Sequence, residues 1–129
     1  MIARLSRSLL IAQALWQLLR YDVVLRAGGF RRIHRDLGRR RPKPAGGAPS
    51  REARICEAMR WALSLYCKPA LCLQRAVATA RLLRRHGMEA HVVIGYRPEP
   101  FFGHAWVEIE GRVVDDSPAW QRLHVLERI

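Results

Sequence analysis

The chain has 129 residues, of which half are apolar, so its length and composition suit one compact core. Its formal net charge is +12, and the basic excess is concentrated in the first 60 residues, which hold 14 basic and 4 acidic side chains. Its three cysteines form no CxxC pair, which argues against both a disulfide framework and a structural zinc site. We therefore predict a protein of the reducing cytosol rather than a disulfide-stapled secreted domain.

The first predicted element is an amphipathic helix of about 24 residues, which Gly28-Gly29 ends. A twelve-residue apolar run follows Arg7 and imitates a secretory signal, but it contains two glutamines and precedes no small-residue cleavage site. It is also shorter than the ~20 residues that a membrane span needs. We expect the apolar stripe of this helix to pack against the C-terminal core, and the stripe comprises Ile2, Leu5, Leu9, Ala12, Trp16, Leu19 and Val23.

The stretch from Arg39 to Pro49 predicts a linker, because its three prolines lack backbone donors and Gly46-Gly47 add chain entropy. The linker divides the chain into a basic helical N-terminal extension, residues 1–45, and a core, residues 46–129. The core begins with a helix that is predicted to start after Ser50 and to continue to Tyr66.

A break at Lys68-Pro69-Ala70 precedes a third helix, which carries Cys72 in its first turn and ends at Gly87 in a left-handed C-cap. The period then changes to that of strands, which are predicted at 91–97, 104–110 and 112–116 and form an antiparallel meander. The tail from Trp120 shows no more than a turn of helix. Helices followed by a small antiparallel sheet predict an α+β fold.

Three side-chain types in the core point to nucleophilic catalysis. Cys72 lies where unpaired backbone donors and the positive end of the helix dipole favour a thiolate over a thiol. His104 opens a strand of the sheet that this helix must cover, and Asp115 and Asp116 end the next strand. A thiolate, an imidazole and a carboxylate that holds the imidazole in the right tautomer make a catalytic triad.

The turn before Arg112 decides which aspartate faces the histidine. A three-residue loop that ends at Gly111 would place Asp116 directly opposite His104. A two-residue Glu110-Gly111 turn would instead bring Asp115 diagonally to the same side. Side chains alternate between the two faces of a strand, so the two aspartates cannot both reach the imidazole.

We favour the three-residue loop, because it suits a left-handed Gly111 and because it pairs the opposite charges of Glu108 and Arg112. This register assigns Asp116 as the third member of the triad and leaves Asp115 as the alternative.

Several motifs together resemble the transglutaminase-like leader peptidases of lasso-peptide biosynthesis, over about residues 50–129. They are Cys72-Leu-Gln-Arg-Ala, Ala-His-Val-Val-Ile-Gly-Tyr, His104-Ala-Trp-Val-Glu and Val-Val-Asp-Asp-Ser-Pro. The resemblance implies a papain/transglutaminase-like core whose nucleophile-bearing helix packs on a small antiparallel sheet. It also implies that the aspartate just before Ser117-Pro118, Asp116, completes the triad. The chain departs from the family at Gln74, where proline is common, and at Asp115, where asparagine is often seen.

By the same resemblance, the protein is a cysteine peptidase that removes the leader from a ribosomally made lasso-peptide precursor. Its expected partners are the precursor peptide, a small leader-binding protein and an ATP-dependent macrolactam cyclase. The basic first half is a candidate docking surface. By this resemblance Trp106 would wall the nucleophile's pocket, although packing in the core explains this residue equally well. The backbone amide of Cys72 would supply half of an oxyanion hole.

The remaining cysteines and histidines are expected to have no catalytic role. Cys56 and Cys67 are interpreted as core or chance residues, and no metal or cofactor is predicted. The other histidines are expected to face solvent or bond locally: His34, His86, His91 and His124. Two alternative functions are a nucleic-acid-binding basic module and a catalytically inactive papain-like adaptor. The first is disfavoured because only Phe30 interleaves the arginine run and no recognition motif is present.

Overall fold

The computed structural model describes residues 6–39, 49–98, 101–114 and 123–129. Within these ranges it has three helices and four strands, so the predicted α+β class is confirmed. The helices are α1 (Arg7–Arg39), α2 (Pro49–Leu65) and α3 (Cys72–Arg85), and the strands are β1 (Ala90–Pro98), β2 (Phe101–Ile109), β3 (Arg112–Val114) and β4 (His124–Arg128). No helix in this part of the chain combines the length and the apolarity needed to cross a bilayer.

The four strands form one antiparallel sheet in the order β3-β2-β1-β4. The predicted meander is confirmed for β1, β2 and β3. The prediction of a turn of helix in the tail is wrong, because β4 pairs with the free edge of β1, and Ile129 continues this pairing by exchanging backbone hydrogen bonds with Val92. All five residues of β4 are exposed, so no buried alternation marks the strand in the sequence.

One face of the sheet packs on the helices. Ala105, Val107 and Ile109 alternate along β2 and join a hydrophobic core with α3, in which Leu82 and Leu83 are fully buried. The intervening residues of β2, His104, Trp106 and Glu108, share the other face. The helix that carries Cys72 therefore covers the strand that carries His104, as expected from the sequence.

The helix is interrupted at Gly28-Gly29, as the sequence predicts, but a second helical segment that was not expected follows, and α1 comprises both segments. The chain kinks at Gly29, whose φ of 70° and ψ of −173° are not helical, and then resumes as helix to Arg39. The second half is held because Ile33 and Leu37 are buried and because Arg20 binds Asp36 across the kink at 3.1 Å. Residues 40–48 of the predicted linker lie outside the described part, and the division at residue 45 stays a prediction.

Helix α1 packs on the core as predicted, but it does so through a different face. Leu9, Trp16, Leu19 and Val23 of the predicted stripe are between 44% and 56% exposed, Ala12 is also exposed, and Ile2 and Leu5 lie outside the described residues. The buried stripe is instead Leu10, Ala14, Gln17, Leu18 and Tyr21. Gln17 and Tyr21 are polar enough to hide this face in the sequence, and Gln17 accepts a hydrogen bond from Arg81 at 3.2 Å.

Helices α2 and α3 lie close to their predicted positions. Helix α2 begins at Pro49, one residue before the predicted cap Ser50, and it buries Ile55, Ala58, Met59 and Ala62 as their spacing predicts. Helix α3 begins at Cys72. It ends before Gly87, whose φ of 84° is left-handed, and the amide of Met88 closes the cap on the carbonyl of Leu83 at 3.0 Å.

Arg84 joins the last turn of α3 to three other parts of the chain. Its guanidinium donates to the carbonyls of Leu37 at 2.9 Å, Ala90 at 2.8 Å and Ile129 at 2.9 Å. These carbonyls belong to the end of α1, the start of β1 and the end of the chain that follows β4. Burial lowers the pKa of Arg84 below its ordinary value, although an arginine remains charged at neutral pH.

Candidate active site

Cys72 is the first residue of α3, and the residue before it cannot cap the helix. Leu71 has an extended backbone and makes no side-chain hydrogen bond to the first turn, and the first helical bond runs from the amide of Arg75 to the carbonyl of Leu71 at 3.0 Å. The first-turn amides at and after Cys72 therefore receive no capping side chain from Leu71. Such amides, with the helix dipole, favour a thiolate and suit an oxyanion.

Cys72 and His104 line the same cavity, which has a volume of about 220 Å³. Both residues are half-buried. The cavity lies between the first two turns of α3 and strands β2 and β3, and its lining comprises Ala70, Cys72, Arg75, Ala76, Thr79, His104, Ala105, Trp106, Val107 and Val114. Two of the residues that the sequence singled out for catalysis thus line one cavity, although His104 belongs to the β2 residues that alternate with those packed on α3.

Trp106 stands beside His104 and is held in place by a buried carboxylate. The two rings stack with their centroids 6.0 Å apart and their planes 25° from parallel. The indole Nε1 donates to Oε2 of Glu108 at 3.0 Å, and Oε1 of Glu108 accepts from Nε of Arg128 at 3.3 Å. Because Trp106 and Glu108 are both more than 90% buried, the position of the indole ring beside His104 is fixed.

Gly95 provides the space for this tryptophan. It pairs directly with His104 across β1 and β2, and a Cβ at position 95 would lie 2.6 Å from Cη2 and 2.8 Å from Cζ3 of Trp106. Such distances are far below van der Waals contact, and an indole ring held by Glu108 has little room to yield. Sequence reasoning missed Gly95, although a glycine inside a strand pattern often marks a close approach of this kind.

The turn between β2 and β3 differs from the one that we favoured. Ile109 pairs directly with Arg112, so Glu110-Gly111 is a two-residue turn, with φ values of 52° and 75°. The three-residue loop, and with it the pairing of Glu108 with Arg112, is wrong. Arg112 instead binds Glu52 of α2 through two hydrogen bonds of 2.9 Å and 2.8 Å.

The corrected turn changes the argument for the third catalytic residue. The register that supported Asp116 no longer holds, and the two-residue turn is the alternative that favours Asp115. The family motif still favours Asp116. Both aspartates lie outside the described residues, so their positions relative to His104 remain a matter of prediction.

The other cysteines and histidines are not among the residues that line the cavity. Cys56 is buried in the core, Cys67 is exposed, and neither forms a disulfide. Each remaining histidine has a contact: His91 with the nearby Glu89, His124 with Tyr96 of the neighbouring strand, and, contrary to the expected local bonding, His34 with the distant Glu127 and His86 with the distant Gln13. The described residues contain no group of three or more histidine, cysteine, aspartate or glutamate side chains that could hold a metal ion.

A hydrogen-bonded cluster centred on Asp22 of α1 lies next to the start of α3. Asp22 accepts hydrogen bonds from the hydroxyl of Tyr66 and from Nε2 of Gln74 at 3.0 Å, and its carboxylate pairs with Lys68 at 3.0 Å. Burial alone would raise the pKa of Asp22, but the bonds from Tyr66, Lys68 and Gln74 outweigh it and hold the pKa below its ordinary value. This cluster was not predicted from the sequence, because the spacing of its residues follows no recognisable pattern.

Two tyrosines near Asp22, Tyr66 and Tyr21, have raised pKa values. Burial and the hydrogen bond to Asp22 raise the pKa of Tyr66 to about 12. The pKa of Tyr21 is raised by burial, then by the charge of Asp22 and of an ionised Cys72. This part of α1 is therefore close enough to the start of α3 for its side chains to sense a charge on Cys72.

Comparison with known proteins agrees with this architecture. The chain belongs to the transglutaminase-like superfamily, whose family model matches residues 15–128. Among curated proteins it is similar to the Microcin J25-processing protein McjB of Escherichia coli, with 45% identity over 59 residues. The resemblance inferred from the motifs is thereby confirmed.

That similarity covers 45% of this chain and 28% of the relative, so the chain spans little more than a quarter of the length of the protein it matches. No solved structure matches the chain significantly.

Proposed function

We propose that this protein is a cysteine peptidase that removes the leader from a lasso-peptide precursor. The observation that carries the proposal is the shared cavity of Cys72 and His104, in which the cysteine opens a helix without a side-chain cap from Leu71. Membership of the transglutaminase-like superfamily and similarity to a processing protein support it.

In the proposed reaction, His104 takes the proton of Cys72 and the thiolate attacks the carbonyl carbon of the scissile peptide bond. The tetrahedral oxyanion accepts a hydrogen bond from the backbone amide of Cys72. His104 then gives its proton to the leaving amine, which frees the N-terminus of the core peptide. Water hydrolyses the thioester, and the leader leaves with a new carboxylate.

The third member of the proposed triad is an aspartate that orients His104. We assign this role to Asp116 on the strength of the Val-Val-Asp-Asp-Ser-Pro motif and keep Asp115 as the alternative that the two-residue turn favours. Trp106 is the proposed pocket wall, since its ring stacks on the imidazole and the residue is among those that line the cavity.

The proposed partners are the precursor, a small leader-binding protein and an ATP-dependent macrolactam cyclase that uses the freed amine. The basic first half is the proposed docking surface for the leader-binding protein. This assignment predicts an acidic complement on the partner and an association that weakens as salt increases.

The peptidase proposal is tested by Cys72→Ala in a reconstituted mixture of precursor and leader-binding protein. The expected result is loss of leader release, measured by mass spectrometry of the products, whereas Cys67→Ala, which changes an exposed cysteine, should retain release. If Cys72→Ala still released the leader, the nucleophile assignment would fail. If the wild-type protein bound its partners without cleaving, an inactive adaptor would be the better description.

A further inference from the structure

Asp22 connects three parts of the chain at the start of the cysteine-bearing helix. Its side chain is only 17% exposed and accepts from one residue of α3 and from two residues that follow α2. Since Asp22 itself belongs to α1, this one carboxylate joins all three helices. A carboxylate with three donors is a strong anchor, because charge-assisted hydrogen bonds are stronger than neutral ones.

The bond to α3 is made in the same turn as the cysteine. Gln74 stands two residues after Cys72 and is 3% exposed. Its Nε2 donates both to Asp22 at 3.0 Å and to the backbone carbonyl of Leu18 at 3.1 Å. The first turn of α3 is therefore tied to the side chain and to the backbone of α1.

The second pair of bonds fixes the segment that leads into the cysteine. Tyr66 and Lys68 lie between the end of α2 and the start of α3, and both bind Asp22. Ala70, which follows them, lines the cavity. Asp22 thus holds the approach to Cys72 and the turn that begins with it.

We propose that Asp22 is a positioning residue, which sets the place of Cys72 relative to His104 by anchoring the first turn of α3 to α1. The catalytic consequence rests on the proposed peptidase function, whereas the anchoring does not. Displacement of a nucleophile by about 1 Å lowers a rate by as much as ~100-fold, so an anchor of this kind acts mainly on turnover. Helix α1 is on this view part of the catalytic unit.

The test compares Asp22→Asn with Asp36→Asn. Both aspartates belong to α1 and are partly buried, and Asp36 makes one ion pair with Arg20 on its own helix. Asp22→Asn keeps the size of the side chain but removes its charge and one acceptor. We expect kcat for leader release to fall at least ~10-fold while KM stays within ~3-fold. Asp36→Asn should leave both constants near those of the wild type.

A second readout needs no substrate. Hydrogen–deuterium exchange should become faster at the amides of Arg75 and Ala76 in Asp22→Asn, because the first turn loses its anchor, and should not change there in Asp36→Asn. Gln74→Met, which keeps the volume but removes the amide, should reproduce both effects, and it replaces Asp22→Asn if that variant does not fold.

The outcomes separate the two proposals. A folded Asp22→Asn variant with wild-type kcat would overturn the positioning role, whether or not exchange changed. If the wild-type protein released no leader but exchange still rose in Asp22→Asn, the peptidase function would fail and the anchoring would stand. Equal loss of kcat in Asp22→Asn and Asp36→Asn would show a general destabilisation of α1 and would also overturn the role.

Discussion

Gly95 lies directly opposite His104 in the sheet, and the ring of Trp106 occupies the space next to it where a larger residue would place its Cβ. The imidazole that is proposed to act as the base therefore stacks on a ring whose position depends on a glycine in the neighbouring strand. The buried Glu108 holds the other side of the same ring through the indole nitrogen.

Gly95→Ala tests this dependence. The new Cβ would meet the indole at 2.6 Å, so we expect the ring to move away and the imidazole with it. The expected result is at least a ~10-fold lower kcat for leader release, together with a changed tryptophan near-UV circular dichroism spectrum.

Gly38→Ala is the matched control for this substitution. No atom lies within 4 Å of a Cβ placed at position 38, and alanine suits the helix there, so activity should be retained and stability should rise slightly. Wild-type turnover in Gly95→Ala would show that the position of the Trp106 ring does not matter for the reaction.

The aspartates after β3 give the second prediction. We expect Asp116→Ala to abolish leader release, since an imidazole without its orienting carboxylate loses its catalytic tautomer, and we expect Asp115→Ala to retain much of it. The measurement is the single-turnover rate of each variant at saturating enzyme.

The opposite pattern in these two variants would favour the register argument over the motif. The Glu110-Gly111 turn would then set the triad, and Asp115 would be the orienting residue. Equal and small losses in both variants would remove the aspartate from the mechanism.

The predictable features are those in which a local signal agrees with the tertiary structure. Helix α3 could be placed from Pro69 to Gly87 because a proline, a 3.6-residue period and a left-handed glycine point to the same element. The order of the first three strands followed in the same way from short β-branched runs separated by turn residues.

The predictions failed where contacts with residues far away in the sequence override the local pattern. The apolar stripe of α1 was predicted on the wrong face because Gln17 and Tyr21, whose side chains carry polar atoms, are buried there, and a search for apolar residues passes over them. The turn was misjudged because Glu110 adopts a positive φ that glutamate rarely takes, and because Arg112 finds Glu52 on another element. No local pattern could reveal the Asp22 cluster, since its members are separated by up to 52 residues.

The third prediction concerns the pH dependence of stability and rests on His86. Its Nε2 bonds Oε1 of Gln13 at 2.8 Å and so joins the end of α3 to α1. Burial, followed by the charges of Arg51 and Arg85, lowers the pKa of His86 below its ordinary value of 6.5. The folded protein therefore binds this proton less readily than the unfolded chain does.

Because of this lowered pKa, the free energy of unfolding decreases as the pH falls. The contribution of a neutral His86 is fully present above pH 6.5, and it is lost as the pH falls through 6.5 towards the lower pKa of the folded state. We expect the free energy of unfolding of the wild type, measured with urea between pH 7 and pH 5, to fall more steeply than that of His86→Gln. Glutamine can still donate to Gln13 but cannot take up the proton.

The two proteins differ only at position 86, so the difference between the two curves isolates His86. Between pH 7 and pH 9, where a histidine of lowered pKa stays neutral, the two curves should run parallel. Parallel curves down to pH 5 would show that His86 is protonated equally well in the folded and unfolded chains, and the burial of its imidazole between α1 and α3 would then carry no energetic cost.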